Sequence, residues 1–170
     1  MFAQIIGFAG MTAMVLSFQC KDTKKLFLFQ LLGSIFYGIQ FFLLGAYTGA
    51  ASQIVGICRN FILASRGKWA QRKIWTILLC SAQVAVTVLT WKNPFSLLPA
   101  VAFIALTLGG STGNAQSVRI ANMFINSPCW FVYDLYSFSV AGMITEALIQ
   151  LSTLIFIHRY GWKALNTKQD

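Results

Sequence analysis

Long apolar runs follow one another along this chain with hardly a charge inside them, and nearly every Lys and Arg sits in the short gaps between. That alternation constrains the fold more than anything else in the sequence. A helix needs about 20 apolar residues to cross about 30 Å of hydrocarbon. Seven runs approach that length, at residues 2–18, 26–44, 49–65, 74–91, 95–108, 118–137 and 139–160. Only 10% of residues are charged, against about 25% in soluble domains, too few to clothe a water-exposed surface. The spacing therefore predicts an all-α polytopic membrane protein of seven transmembrane helices, with the lipid bilayer as its main partner.

The charges also set an orientation. Lys21, Lys24, Lys25, Arg66, Lys68, Arg72, Lys73, Arg119, Arg159, Lys163 and Lys168 lie on the side of the loops after runs 1, 3 and 5 and of the C-terminal tail. Lys92 alone lies in a gap of the other set, and Arg59 lies within run 3. Cytoplasmic loops are the ones enriched in Lys and Arg, so the chain is expected N-out and C-in. No basic residue precedes the first apolar run, the reverse of a cleavable signal peptide, so this run is expected to remain as a span. The net charge of +9 does not suggest nucleic acid, because no folded polar domain is there to carry it.

Sliding the chain by 93 residues lays runs 1–3 on runs 5–7. Phe2 then meets Phe95, Ser34 meets Ser127, Tyr37 meets Trp130, Gly49 meets Gly142, Ser52 meets Thr145, Gln53 meets Glu146 and Arg66 meets Arg159. Run 4 has no counterpart. A 3+1+3 parallel-repeat plan follows: a first three-helix unit over 1–66, a linker helix with its basic loop over 67–93, a second unit over 94–160 and a cytoplasmic tail over 161–170. Parallel repeats of this kind place a site between the halves near the midplane.

Polar residues within the runs are costly in lipid, so their pattern is informative. Run 6 carries Asn122, Asn126, Trp130 and Asp134 four residues apart, which a helix places on one face. Run 7 carries Gly142, Glu146, Gln150 and Thr153, run 3 carries Gly49, Gln53, Gly56 and Asn60, and run 2 carries Gln30, Ser34, Tyr37 and Gln40. These faces are expected to turn inward, as interhelical glue or as the lining of a site. The candidate binding residues are Tyr37, Gln53, Asn60, Asn126, Trp130 and Gln150. Arg59, Glu146 and Asp134 are candidates for charge and gating. Arg59 would either pair with Glu146 or snorkel to the cytoplasmic headgroups, and Asp134 would sit wetted at the outer mouth. Pro128 frees a carbonyl of the preceding turn, and with Gly33 near the matching position forms a candidate hinge pair.

No catalytic or metal-binding motif is present and no cofactor is implied, so an enzyme is not expected. Cys20, Cys58, Cys80 and Cys129 form no CxxC and are expected as small buried hydrophobes.

The segment Phe41-Phe42-Leu43-Leu44-Gly45-Ala46-Tyr47, followed by Gly49-Ala50-Ala51-Ser52 and Arg59, resembles the YgjV-type bacterial inner membrane proteins, as do residues 94–99 and the pattern around Gly142 and Glu146. The resemblance implies the inner membrane of a Gram-negative bacterium. The 3+1+3 plan more distantly resembles the SWEET and SemiSWEET transporters and other PQ-loop proteins, although the Pro-Gln pair and a proline in run 1 are absent. It implies a small-solute transporter in which Trp130 and Tyr37 stack on the solute and Asn126 and Asn60 supply amides. A non-transporting subunit or scaffold, packing its polar faces against a partner, is the other expectation. The solute is unspecified, and a homo-oligomer is compatible.

Overall fold

The computed structural model describes residues 1–19, 23–65, 69, 72–111, 117 and 120–160. Seven α-helices account for most of them: α1 (Phe2–Gln19), α2 (Thr23–Leu43), α3 (Tyr47–Ala64), α4 (Lys73–Leu89), α5 (Leu97–Ser111), α6 (Ser127–Tyr136) and α7 (Val140–Tyr160). A 3-10 turn, Pro94–Ser96, leads into α5, and a π-helical segment, Asn122–Asn126, leads into α6. The apolar runs and the helices agree within a few residues. Run 5 is displaced toward the C-terminus: its helix starts two residues late and continues through Gly109 to Ser111, into the gap between runs 5 and 6. Most of the basic loops, with Lys21, Arg66, Lys68, Arg119, Lys163 and Lys168 among them, lie outside the described residues, as does Cys20.

Burial is inverted relative to a water-soluble fold. Large apolar side chains such as Phe42, Ile54, Phe61, Val88 and Phe138 stand on the outside, while Gln40, Ser52, Gln83, Ser127, Asp134, Ser139 and Thr145 are buried. Water-soluble domains put the apolar set inside. Here hydrocarbon as solvent accounts for the apolar exterior, and the polar groups must be satisfied within the protein. Taken singly, no helix of the described residues is long and apolar enough to cross a membrane. At 17, 15 and 10 residues, α4, α5 and α6 fall short on length alone.

The helices run up and down. One end of the bundle gathers the start of α1, the α2–α3 turn, the end of α4, the Pro94–Ser96 turn and the α6–α7 turn. Thr48 donates to the Thr90 carbonyl at 2.9 Å, Lys92 Nζ to the Gly45 carbonyl at 3.1 Å, and Gln4 Nε2 to the Phe138 carbonyl at 2.6 Å. In sequence α1, α2 and α3 pack in succession, as do α5, α6 and α7; α4 packs against α3 and α5; and the ring closes through α1 on α7 and α3 on α5. Gly10 and Gly33 let α1 and α2 approach closely: a Cβ on Gly33 would lie 2.8 Å from Met14 Cγ and 3.4 Å from the Gly10 carbonyl oxygen. Helix α2 is continuous through Gly33, so this residue serves close packing, where the sequence had suggested a pliable point.

The turns α2–α3 and α6–α7 have the same form, 93 residues apart. Each contains one residue with positive φ, Gly45 at 72° and Phe138 at 56°. Each is closed by a hydrogen bond spanning five residues, Ala46 N to Phe41 O and Ser139 N to Asp134 O, both at 2.9 Å. That closure satisfies a carbonyl left over at a helix C-terminus.

Candidate functional site

The two three-helix sets meet where α2 faces α6 and α7. Tyr37 hydrogen-bonds Thr145 Oγ1 at 2.6 Å. Phe41, almost fully buried, lies between the two rings that the sequence had suggested would hold a solute. Its centroid is 6.3 Å from Tyr37 and 5.7 Å, stacked, from Trp130. Tyr133 packs edge-on to both Phe41 and Trp130. The space between Tyr37 and Trp130 is therefore occupied by a protein side chain.

Tyr133 also reaches across to cap α3. The first turn of a helix leaves N–H groups without partners, and the residue before α3, Ala46, has no side chain to accept one. The Tyr133 hydroxyl accepts the Gly49 N–H instead, at 2.8 Å. At the α6–α7 turn, Ser139 precedes α7 and its hydroxyl accepts the Gly142 N–H at 3.3 Å in the ordinary way. Gly49 has to be a glycine: a Cβ would stand 2.6 Å from Tyr133 Cε1 and 3.1 Å from Phe41 Cγ.

Asp134 is only 2% exposed, so the wetted position suggested by the sequence is corrected: its carboxylate is inside the protein. It is received by Gly142, whose missing side chain leaves the room, and by the Ser139 hydroxyl. Its Oδ1 has no hydrogen-bond partner. Glu146, one turn further along α7, accepts a hydrogen bond from the Ser127 hydroxyl. Both carboxylates lie within electrostatic reach of the Tyr37 hydroxyl.

Arg59 does neither of the things suggested by the sequence. Its guanidinium lies over the Phe103 ring of α5, 4.8 Å from the centroid, with no ion pair to Glu146. A delocalised cation on an aromatic face is a favourable pairing once water is excluded. Its Nε has no partner, nor has Oδ1 of the buried neighbour Asn60.

The break in the sixth run is resolved locally. In the π segment the Ser127 N–H bonds five residues back, to the Asn122 carbonyl, and Pro128 has no N–H to give to the next carbonyl, that of Met123. Gln150 supplies the donor, Nε2 to Met123 O at 2.7 Å. Asn126 Nδ2 donates to Asn122 Oδ1 at 2.8 Å. Gln150 and Asn126 are thus engaged in completing the bent helix. Gln53 is half-buried on α3 beside Gly38.

Three contributors did not stand out in the sequence. Gln83, fully buried on α4, donates to Ser52 Oγ at 2.7 Å and ties the linker helix to α3. Gln4 accepts from the Val140 N–H at 3.2 Å and so caps α7 from α1. Tyr133 was hidden among other aromatics. A lone amide in an otherwise apolar run was the signal available for Gln83. Among the described residues no cluster of three or more His, Cys, Asp or Glu could hold a metal ion, and Cys58, Cys80 and Cys129 are free thiols. Cys58 is exposed, against the expectation that it would be buried.

An apolar exterior over buried polar side chains and, among the described residues, seven up-and-down helices fit an all-α membrane protein. The sequence model of the Imp-YgjV family, described as bacterial inner membrane protein, matches residues 1–163. The chain belongs to that family, and its place is the bacterial inner membrane. It is 25% identical over 162 residues to the inner membrane protein YgjV of Escherichia coli (strain K12), covering 95% of this chain and 85% of that one. No solved structure matches.

Proposed function

We propose that this protein is a small-solute transporter that crosses the inner membrane seven times, N-out and C-in, with its polar site in the seam between two three-helix units. Residues 1–66 and 94–160 form the units, and 67–93 supply the linker helix that lets both face the same way. The identical turns at Gly45 and Phe138 support the repeat. So does the closure of the ring, since α1 on α7 and α3 on α5 are the contacts that a twofold relation between the units would exchange. The crossings are supported by family membership and the apolar exterior. At 21 residues, α2 and α7 reach about 31 Å at 1.5 Å per residue, and Ser34, Tyr37, Gln40 and Thr145 on them are buried.

The observation that carries the transport reading is the buried Asp134 oxygen without a partner, beside the Tyr37–Thr145 bridge between units. An ionisable group buried in a membrane bundle is expensive, and its presence points to a functional pathway. In the closed form Phe41 fills the solute position between Tyr37 and Trp130, and opening requires that ring to move. Gln53, Asn60, Asn126 and Gln150 line the path deeper along α3, α6 and α7, with Arg59 and Glu146 setting its charge.

Purified protein in liposomes tests this with a panel of radiolabelled sugars, amino acids and organic amines. Uptake of one class is expected in the wild type, abolished by Asp134→Asn and altered by Phe41→Ala, with both variants folded. No uptake of any class, with a stable co-purifying partner, would instead favour a scaffold whose aromatic seam is a permanent joint.

A further inference from the structure

A groove of about 440 Å³ opens on the outer face of the bundle between α6 and α7, with Glu146 and Ser127 on its lining. Its walls are Phe124, Pro128, Phe131 and Val132, and Phe124 is 59% exposed. The π segment and the proline create it, because an extra residue in the turn and a missing N–H displace α6 locally. Two facts bear on what fits there. Glu146 has a hydroxyl donor but no basic partner among the described residues, although the chain holds 13 basic side chains against 4 acidic ones. Two of the described cations are engaged elsewhere: Arg59 over Phe103 and Lys92 over the Tyr47 ring.

From this we infer that the groove binds a lipophilic monocation from the bilayer, its charge set against Glu146 and its apolar body against Phe124, Pro128, Phe131 and Val132. A carboxylate beside apolar walls is uncompensated, and a cation supplies the missing charge. The cation must be delocalised or shielded, since a compact ammonium would lose its hydration to walls that return no hydrogen bonds. An anion of the same shape is repelled by the same carboxylate. The inference goes beyond the transport reading and does not depend on it, because binding at equilibrium requires no passage through the seam.

Equilibrium dialysis of the full-length protein in nanodiscs tests it with two probes of one shape and opposite charge, tetraphenylphosphonium and tetraphenylborate, with empty nanodiscs as background. Saturable binding of tetraphenylphosphonium alone is expected. Glu146→Gln keeps the shape and removes the charge, and is expected to weaken binding roughly tenfold or more. Should Glu146→Gln fail to fold, Ala147→Phe keeps the question open to test: Ala147 is exposed and lines the groove, so the larger ring fills it and binding is expected to disappear. Equal binding of the two probes, no saturable binding of the cation, or unchanged binding in a folded Glu146→Gln or Ala147→Phe protein would overturn the inference.

Discussion

Tyr133→Phe removes one oxygen and no ring contact, so its cost isolates the cap that α6 provides to α3. The hydroxyl accepts the Gly49 N–H at 2.8 Å. Gly49 is the third residue of α3, so no carbonyl four residues back lies within the helix, and the first bond of that register is Ala50 N to Ala46 O. With Ala46 unable to substitute, the buried N–H is left without a partner. A lost helix cap costs about 0.5–2 kcal/mol, and an unsatisfied buried donor about 1–3 kcal/mol, so a loss of about 1–2 kcal/mol is expected. Tyr37→Phe is the internal comparison. It breaks the 2.6 Å bond to Thr145, but the Thr145 hydroxyl keeps the Ala141 carbonyl at 2.9 Å. No buried group is stranded, and the cost falls at the low end of about 0.5–1.5 kcal/mol. Denaturant titration of both variants in one detergent gives the ranking. Hydrogen exchange then locates the effect, with faster exchange at residues 47–49 in Tyr133→Phe only. If Tyr133→Phe were no costlier than Tyr37→Phe, or exchange at α3 were unchanged, the cross-unit cap would be refuted.

Other outcomes follow from the same geometry. Gly142→Ala places a Cβ inside contact distance of the Asp134 carboxylate. Overpacking of about 1–3 kcal/mol should outweigh a helix-propensity gain of about 1 kcal/mol, and Asp134→Ala in the same chain should turn the loss into a gain in thermal stability. Phe138 holds a left-handed φ of 56° with its side chain 77% exposed. Phe138→Gly should therefore stabilise by about 1 kcal/mol, measured by the denaturant midpoint. Gln150→Leu strands the Met123 carbonyl and should cost about 1–3 kcal/mol, whereas at Asn126, whose partner Asn122 is half-exposed, replacement by Leu should cost less.

The sequence is a good guide where lipid imposes the rule. The seven apolar runs match the seven α-helices of the described residues, and Asn126 and Asp134 are buried on the face that their spacing indicates. It is a poor guide to what those side chains touch. Asp134 looks peripheral because it stands near a helix end, but the tight α6–α7 turn folds α7 back so that Gly142 covers it. Arg59 and Glu146 have opposite charges on stripes that could have faced each other, yet the Arg59 guanidinium lies on the Phe103 ring of α5 instead. Gln150 has the look of a ligand residue until the π segment shows which carbonyl requires it. Each of these turns on the rotation of one helix about its axis, which a periodic pattern does not encode.

The account rests on polar side chains facing inward and apolar ones facing lipid. A spin-label scan of residues 129–136 in bilayers, one label at a time with the native cysteines replaced by serine, measures this through oxygen collision. Maxima are expected at Phe131, Val132, Leu135 and Tyr136, where the side chains are exposed, and minima at Tyr133 and Asp134. A flat profile, or maxima at Tyr133 and Asp134, would contradict it.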